Sequence, residues 1–289
     1  TMFVPNRLLP LLSATTNIRI TRYFHKSLPV FFDDQERSSE KSTTALILGS
    51  SGVLGSAITR HLSRRGARVI GADIVEGSTL PPGGFVPLPH PGQKPSLEEV
   101  TQRLSEGVGE ILGETDDDLN IVVVASGGWE KDPLNDKDNL AENAAAFGES
   151  IERMMCMNLY PVLAAGHIIH EFMESSDGLF VVMGATPALS PTPGMVGYGL
   201  SKSAAHNYVQ TLGTLTGLSM STKGQRKATK ALRKTVPEAF DTLTAVGILP
   251  TTLDTPENRR SMSHANFEKW ARVEDIATEI GKWIDNPFL

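Results

Sequence analysis

Short apolar runs alternate along the chain with longer stretches in which apolar residues recur at helical spacing. The short runs have the length of buried strands and are found at residues 44–48, 68–72, 121–125, 179–183 and 243–249, with a shorter strand expected around 85–88. Helical periodicity is found at 53–65, 97–112, 148–174, 197–216 and 273–284. Strands that alternate with helices predict an α/β fold, namely a Rossmann-like doubly wound parallel sheet with helices on both faces, in a single domain.

A glycine-rich turn follows the first of these strands. It reads Gly49-Ser50-Ser51-Gly52-Val53-Leu54-Gly55 and leads directly into an amphipathic helix. A strand, a glycine turn and a helix start are the parts of a dinucleotide-binding unit, in which the backbone approaches a pyrophosphate at the helix N-terminus. The spacing is G-x-x-G-x-x-G rather than the usual G-x-G-x-x-G, so a glycine-rich turn without a ligand stays open as the alternative.

Asp73 ends the second strand and makes a ligand at the glycine turn the better interpretation. An acid about 20 residues beyond the glycines is placed to bind a ribose hydroxyl and to repel a 2′-phosphate. No basic residue lies between Gly49 and Gly55 or directly after Asp73. The sequence therefore predicts NADH as the cofactor in preference to NADPH.

Small residues at the end of the strand at 121–125 indicate a second part of the same site. Ala125, Gly127 and Gly128 lie where a cofactor crosses the carboxyl end of a parallel sheet. Trp129 follows them and either stacks on a flat ligand or anchors the next loop; the sequence leaves both interpretations open.

Tyr198 and Lys202 are one helical turn apart and share a helix face. Such a pair is weak evidence alone, but a proline-rich, nearly uncharged run at 184–197 precedes it and small residues follow it. A phenol has an ordinary pKa of about 10, and a lysine ammonium within reach lowers that pKa. The pair is therefore predicted to perform general acid–base chemistry.

Composition and charge argue against several other classes of function. The chain has one cysteine, Cys156, and seven histidines without metal-ligand spacing, so neither an internal disulfide nor a metal site is expected. No apolar run approaches the roughly 18 residues of a membrane span. A net charge of −6 argues against binding to nucleic acid. The basic stretch at about 219–236 is interpreted as a solvated inserted helix, with an RNA-binding stripe as the less favoured alternative.

The first 32 residues differ in charge from the rest of the chain. They contain basic residues and no acid, with Ser, Thr and Leu in abundance, as in a mitochondrial or plastid transit peptide. An untargeted tail on a cytoplasmic protein is the alternative. Residues 33–41 form a polar linker. We therefore predict a disordered targeting segment and linker at 1–41 and the NAD-binding domain at 42–289, with stability nearly unchanged when residues 1–41 are removed.

With these parts placed, the sequence resembles the short-chain dehydrogenase/reductase superfamily and, within it, the quinonoid dihydropteridine reductases. The glycine turn, Asp73 and the Tyr198/Lys202 pair are the broad motifs. Three stretches are more specific: ASGGW at 125–129, TPGMVGYG at 192–199 and LPTTLDTPENR at 249–259. The resemblance extends from about residue 44 to residue 284 and is interrupted by the basic stretch.

The resemblance implies an NADH-dependent reductase that converts a quinonoid dihydropteridine to a tetrahydropteridine. Tyr198 would donate the proton that accompanies hydride transfer, and Lys202 would hold the nicotinamide ribose. The cofactor site would include Pro250, and Trp129 together with the loop at 185–196 would bracket the pterin.

Position 185 separates this resemblance from most of the superfamily. A serine thirteen residues before the tyrosine usually holds a substrate carbonyl, whereas Ala185 stands here, and dihydropteridine reductases also lack the serine. A quinonoid pterin spreads the incoming charge over its ring, so one proton donor suffices. Thr186, the next residue, has a hydroxyl that could replace that of the missing serine. A carbonyl or quinone reductase therefore stays open as the first alternative. A non-catalytic dinucleotide-binding module is the second.

The resemblance also implies a homodimer in which the helices at about 148–174 and 197–216 pack against their copies. Asn158 matches the structural asparagine of the wider superfamily, and Ser51 stands where mammalian-type dihydropteridine reductases have arginine. The chain ends at Leu289, before the last strand of these enzymes, so that strand is expected to be missing.

Overall fold

The computed structural model describes residues 18–23, 43–77, 84–115, 117–132, 140–173, 178–216 and 243–285. Within these ranges the chain forms a seven-stranded sheet with helices on both faces. The strands of the sheet are β1 Ile18–Tyr23, β2 Thr44–Leu48, β3 Arg68–Asp73, β4 Phe85–Pro87, β5 Leu119–Val124, β6 Leu179–Met183 and β7 Thr244–Pro250. A separate short pair consists of β8 Leu253–Asp254 and β9 Ala271–Arg272.

The strand order in the sheet is β1-β7-β6-β5-β2-β3-β4. Strands β2 to β7 are parallel to one another, and β1 is antiparallel to β7. The chain moves outward from β2 in one direction through β3 and β4, then returns to β5 and moves outward in the other. This confirms the predicted doubly wound, Rossmann-like fold. Its switch point lies between β2 and β5, where ligands of such sheets bind at the carboxyl ends of the strands.

Helices cover both faces of the sheet. They are α1 Val53–Arg64, α2 Leu97–Gly113, α3 Leu140–Asn158, α4 Tyr160–Phe172, α5 Val196–Thr216, α6 Pro256–Ser261 and α7 Val273–Asp285. Apolar side chains of α1 and α7 pack on one face, and those of α2, α4 and α5 on the other. Along β2, Ala45 and Ile47 belong to the first core and Leu46 and Leu48 to the second. Burial on both faces explains why the strands are continuous apolar runs in the sequence.

The long helix predicted at 148–174 is two helices. α3 ends at Asn158 and α4 begins at Tyr160, with Leu159 between them. Pro161 lies in the first turn of α4, where its missing N–H costs no intrahelical hydrogen bond, but it cannot continue the hydrogen bonding of α3. The proline therefore divides the predicted helix.

The prediction of disorder throughout residues 1–41 is wrong for Ile18–Tyr23. These residues form β1, which pairs with β7 from Ile18 opposite Pro250 to Tyr23 opposite Ala245. The physical reason is the edge of the sheet, because β7 would otherwise present an unpaired row of backbone N–H and C=O groups.

Several predictions lie outside the described residues. They are the remainder of the targeting segment and linker, the basic stretch at 219–236 and the chain beyond residue 285. None of the helices in the described ranges has the length and apolar character that a membrane span requires. The same ranges contain no group of three or more His, Cys, Asp or Glu side chains placed to hold a metal ion.

Candidate active site

The glycine turn connects β2 to α1 at the carboxyl edge of the sheet. Gly49 has a φ of +80°, and a Cβ atom there would lie 2.5 Å from the backbone nitrogen of Ser126. A Cβ atom at Gly55 would collide with the carbonyl group of Gly49. At the exposed Gly52, by contrast, a Cβ atom would meet nothing closer than the carbonyl oxygen of Gly49 at 3.4 Å. Packing thus explains Gly49 and Gly55, and Gly52 leaves open space beside the helix start.

The N-terminus of α1 suits an anionic group. Gly52 is its N-cap residue, no side chain of the described chain caps the helix, and its first turn has no acidic residue. Backbone N–H groups and the positive end of the helix dipole favour a pyrophosphate at such a position. Val53 is half exposed beside this space, whereas Ser50 and Leu54 are buried and shape the turn from behind.

Asp73 lies next to the glycine turn, as its position at the end of β3 predicts. Its Oδ2 accepts a hydrogen bond from the Ser51 N–H at 2.9 Å, and its Oδ1 accepts one from the Ile74 N–H at 2.7 Å. The hydroxyl of Ser51 donates to the carbonyl oxygen of Val75. A carboxylate has about four acceptor positions, so Asp73 keeps acceptor capacity for a ribose diol.

Asn158 holds the loop after β5 in place. Its Oδ1 accepts from the Gly128 N–H at 3.0 Å, and its Nδ2 donates to the Gly128 carbonyl oxygen at 3.1 Å and to Ser201 Oγ at 3.2 Å. The N–H groups of Ala125 and Ser126 both donate to the carbonyl oxygen of Leu48 in β2. The small-residue loop is thereby fixed between the glycine turn and α5.

Lys202 is buried against the ends of two strands. Its side chain extends from α5, and the ammonium donates to the carbonyl oxygen of Met183, the last residue of β6, at 2.9 Å. A Cβ atom at Gly127 would lie 3.0 Å from Lys202 Nζ, so this loop also approaches the ammonium. Burial lowers the pKa of Lys202 to about 8. The side chain therefore brings a positive charge, at neutral pH, to the edge predicted to bind the cofactor.

Tyr198 lies one turn before Lys202 in α5, as predicted. The expectation that Lys202 lowers the pKa of Tyr198 is wrong, because burial raises that pKa to about 12. The Lys202 ammonium donates to Met183 instead. Tyr198 therefore stays protonated across the physiological pH range, which suits a proton donor and does not suit a base.

The residues after β6 offer a substrate fewer donors than the sequence suggested. Ala185, predicted to contact substrate, is only 2% exposed, and its N–H donates to Nε2 of His206 at 3.0 Å. The hydroxyl of Thr186 donates to the carbonyl oxygen of Leu249 at 2.7 Å. Burial thus argues against the predicted substrate contact of Ala185, whereas the contact of the partly exposed Thr186 stays a prediction.

His206 was not identified from the sequence, although it lies one further turn along α5 from Lys202. Burial and, to a smaller extent, the charge of Lys202 lower the pKa of His206 to about 4. Its Nε2 accepts the Ala185 N–H, so the ring is neutral and carries its proton on Nδ1. The continued spacing of four residues was the available signal.

Trp129 is 61% exposed, and its indole N–H lies 3.1 Å from the sulfur of Met195. Three residues further along the loop, Asp132 is buried and accepts the N–H of Val196, the first residue of α5. The sequence did not indicate Asp132, because a single acid in a loop carries no periodic signal. The loop after β5 and the loop before α5 therefore meet in one place.

Pro250 ends β7 and is buried opposite Ile18 of β1. A cavity of about 790 Å³ lies beyond it, beside α6 and α7, and contains none of the predicted site residues. Its lining includes Asp254, Arg259, Phe267 and Trp270. Arg259 is occupied there, since it pairs with both carboxylate oxygens of Asp254 at 2.6 and 2.8 Å.

Known proteins resemble this chain in sequence and in fold. No protein-family model matches the chain. A dihydropteridine reductase of Dictyostelium discoideum is 28% identical over 245 residues, which are 85% of this chain and 89% of that protein.

Solved structures show the same fold at low sequence identity. An aldohexose dehydrogenase of Thermoplasma acidophilum is 14% identical with a TM-score of 0.55, over 83% of this chain and 86% of that one. A short-chain dehydrogenase/reductase of Mycobacterium ulcerans is 17% identical with a TM-score of 0.56, over 85% and 84%. These comparisons support an oxidoreductase. The chain thus has the fold of the short-chain dehydrogenases/reductases and is similar over most of its length to a dihydropteridine reductase, which confirms the resemblance read from its motifs.

Proposed function

We propose that this protein uses NADH to reduce a quinonoid dihydropteridine to the tetrahydropteridine. The observation that carries the proposal is the arrangement at the end of β6. Tyr198 and Lys202 supply a proton donor and a buried cation, while the Ala185 N–H and the Thr186 hydroxyl are both engaged within the protein and do not face a localised oxyanion as donors. The alkoxide formed from a ketone needs such donors, and a pterin ring that spreads its charge needs them less. The similarity to the Dictyostelium dihydropteridine reductase supports the same substrate class.

The residues at the switch point fit a nicotinamide cofactor. The space beside Gly52 and the uncapped start of α1 would hold its pyrophosphate, and Asp73 would bind the adenosine ribose. Lys202, next to Gly127, would bind the nicotinamide ribose. When bound, the reduced nicotinamide supplies the hydride. The carboxylate of Asp73 disfavours a 2′-phosphate, so we infer a preference for NADH over NADPH.

Tyr198 and Lys202 divide the proton chemistry between them. Reduction of the quinonoid ring adds one hydride and one proton. Tyr198 donates the proton from its phenolic O–H and becomes a phenolate. Lys202, one turn away, stabilises that negative charge, and a proton from solvent restores the phenol. The exposed ring of Trp129 forms a wall on which a flat pterin stacks.

The experiment that tests the function is NADH oxidation with quinonoid dihydropterin generated in situ, beside a panel of ketones and quinones and beside NADPH. We expect turnover with the pterin and NADH above the rate without enzyme. Turnover with ketones or quinones alone would assign a carbonyl or quinone reductase instead. NADH binding without any turnover would assign a non-catalytic module.

Tyr198→Phe identifies the proton donor within that assay. It keeps the ring and should lower kcat about 100- to 10,000-fold for a carbonyl acceptor, and less for a quinonoid pterin that takes its proton from water. NADH binding should be unchanged. Tyr208→Phe on the same helix removes another partly buried hydroxyl and serves as the matched control. If Tyr198→Phe and Tyr208→Phe had the same kcat, Tyr198 would not be the proton donor.

We further propose that the protein is a homodimer formed through α3 and α5. The two helices pack against each other, and Leu200 of α5 is 51% exposed on the outer side. An isologous interface would use this face twice.

A further inference from the structure

A two-way hydrogen-bonded bridge joins the loop after β5 to the start of α5. Both carboxylate oxygens of Asp132 lie 2.8 Å from the backbone nitrogen of Val196, whose N–H they accept. The N–H of Asp132 donates to the carbonyl oxygen of Gly194 at 2.9 Å. We call this set of contacts the Asp132 bridge. It connects two segments that are 62 to 64 residues apart in the chain.

Burial gives the Asp132 bridge its strength. The side chain of Asp132 is nearly inaccessible, at 4% exposure, and its charge lies at the positive end of α5. Hydrogen bonds to a charged acceptor are stronger than those between neutral groups, and an N–H left without its partner would be costly. The start of α5 is thus capped from another loop, which fixes the helix relative to that loop.

The bridge is close in the chain to both residues that are proposed to face a substrate. Tyr198 is two residues after Val196 in the first turn of α5, and Trp129 is three residues before Asp132. The contact of the Trp129 indole with Met195 joins the same two segments. Glu130 also binds Arg153 of α3 through two hydrogen bonds, at 2.9 and 3.1 Å, so the short loop is held from both sides.

We propose that Asp132 is a positioning residue that sets the distance between the proton donor Tyr198 and the wall formed by Trp129. The inference rests on the proposed role of Tyr198. Asp132 touches neither the glycine turn nor Asp73 in the described chain, and the Lys202 ammonium is held by the Met183 carbonyl oxygen rather than by Asp132. Loss of Asp132 therefore changes the chemical step and acceptor binding and leaves NADH affinity intact.

The test compares Asp132→Ala, Asp132→Asn and Ser96→Ala with the native protein. Ser96 caps α2 by accepting the Glu99 N–H at 3.0 Å, so Ser96→Ala removes the cap of a different helix and is the control for lost stability alone. Asn accepts an N–H nearly as well as Asp at a helix start, so Asp132→Asn should restore most of the function. The acceptor is whichever member of the panel the native protein reduces.

We expect Asp132→Ala to lower kcat about 10- to 100-fold, the effect of a small misplacement of reacting groups, with the NADH Kd unchanged. Asp132→Asn should stay within about threefold of the native kcat, and Ser96→Ala should lower Tm without changing kcat or KM. A native kcat and acceptor KM in Asp132→Ala, together with a lowered Tm, would reduce Asp132 to a structural residue and overturn the proposal.

Hydrogen exchange of the amides at 194–199 provides a readout that does not need turnover. These amides should exchange faster in Asp132→Ala and at the native rate in Ser96→Ala. If the native protein reduces no acceptor, the proposed function fails. The exchange rates of these amides then test by themselves whether Asp132 holds the start of α5. Unchanged exchange in Asp132→Ala then overturns the proposal, and faster exchange supports it.

Discussion

At the residue scale, burial acts in opposite directions on the two groups that carry the proposed chemistry. It disfavours the charged form of each, so the pKa of Tyr198 rises to about 12 and that of Lys202 falls to about 8. At pH 7 both are protonated, the phenol neutral and the ammonium charged. This combination is what a reduction needs, because the proton is present on the donor before the acceptor takes the hydride.

The pH dependence of reduction should therefore follow Lys202. Its ammonium is present at pH 7 and is lost as the pH rises above about 8, whereas Tyr198 keeps its proton. We expect kcat/KM for the acceptor, at saturating NADH, to be level near neutrality and to fall about tenfold for each pH unit well above 8. A profile that stays level up to about pH 9.5 would contradict a role for the Lys202 charge in the rate.

His206 should make stability depend on pH in a different range. Its pKa is about 4 in the folded protein, below the ordinary value of 6.5, so the unfolded chain binds a proton first as the pH falls. Its contribution is therefore fully present above about pH 6.5 and is lost as the pH falls towards 4.

Urea midpoints at about pH 7.5 and about pH 5 would measure this loss. His206→Gln keeps an acceptor for the Ala185 N–H but does not titrate, so its midpoint should fall less between the two values. The exposed His264→Gln is the control and should behave like the native protein. An equal fall in all three proteins would exclude His206 as the cause.

The positions of the site residues could be predicted from the sequence better than the contacts that these residues make. Gly49, Asp73, Tyr198 and Lys202 lie where strand ends and helical spacing predict, since both follow from the period of the apolar pattern. The direction of the Tyr198 pKa and the bond from Thr186 to Leu249 were not predictable. Both depend on packing between distant segments, which no local pattern records.

At the element scale, the strands that are apolar on both faces were the easiest to predict. The runs at 44–48 and 179–183 coincide with β2 and β6, because a fully buried strand leaves no polar position in its pattern. β1 was missed for the opposite reason. Its sequence, IRITRY, combines two isoleucines with basic and hydroxyl residues, and the same composition is typical of a targeting peptide.

Removal of residues 1–41 should therefore destabilise the protein, because it exposes the backbone of β7 from Ala245 to Pro250. Each backbone hydrogen bond contributes a net 0.5–1.5 kcal/mol or so, and about 1 kcal/mol shifts Tm by roughly 2–4 °C in a domain of this size. We expect Tm to fall by roughly 5 °C or more.

A shorter deletion separates β1 from the rest of the N-terminal segment. Removal of residues 1–16 keeps β1 and should leave Tm unchanged. Equal Tm values for the two deletions would show that β1 adds nothing to the sheet. Targeting stays a prediction, and a reporter carrying residues 1–41 tests it: a reporter that remains in the cytosol would contradict the organelle assignment.

At the scale of the whole molecule, α5 connects the core, the site and the outer surface. Its buried residues Ala205, Val209 and Leu212 belong to the core. Tyr198 and Lys202 lie on the same helix, and Lys202 reaches the end of β6. Its remaining face is exposed and carries Leu200 and Ser203. This exposed face beside the second helix, α3, is the surface that the proposed homodimer would use.

Sedimentation at micromolar concentration should therefore show a dimer, and Leu200→Asp should shift it towards monomer, because an isologous contact uses the same face twice and would bury two new charges. Met262→Asp, which changes an apolar residue that is 41% exposed outside α3 and α5, is the control and should leave the dimer intact. The proposed dimer would also make the Tm of the native protein rise with protein concentration, and Leu200→Asp should remove that dependence. A native protein that sediments as a monomer, with a Tm independent of concentration, would contradict the interface. Equal dissociation by both variants would place the interface elsewhere.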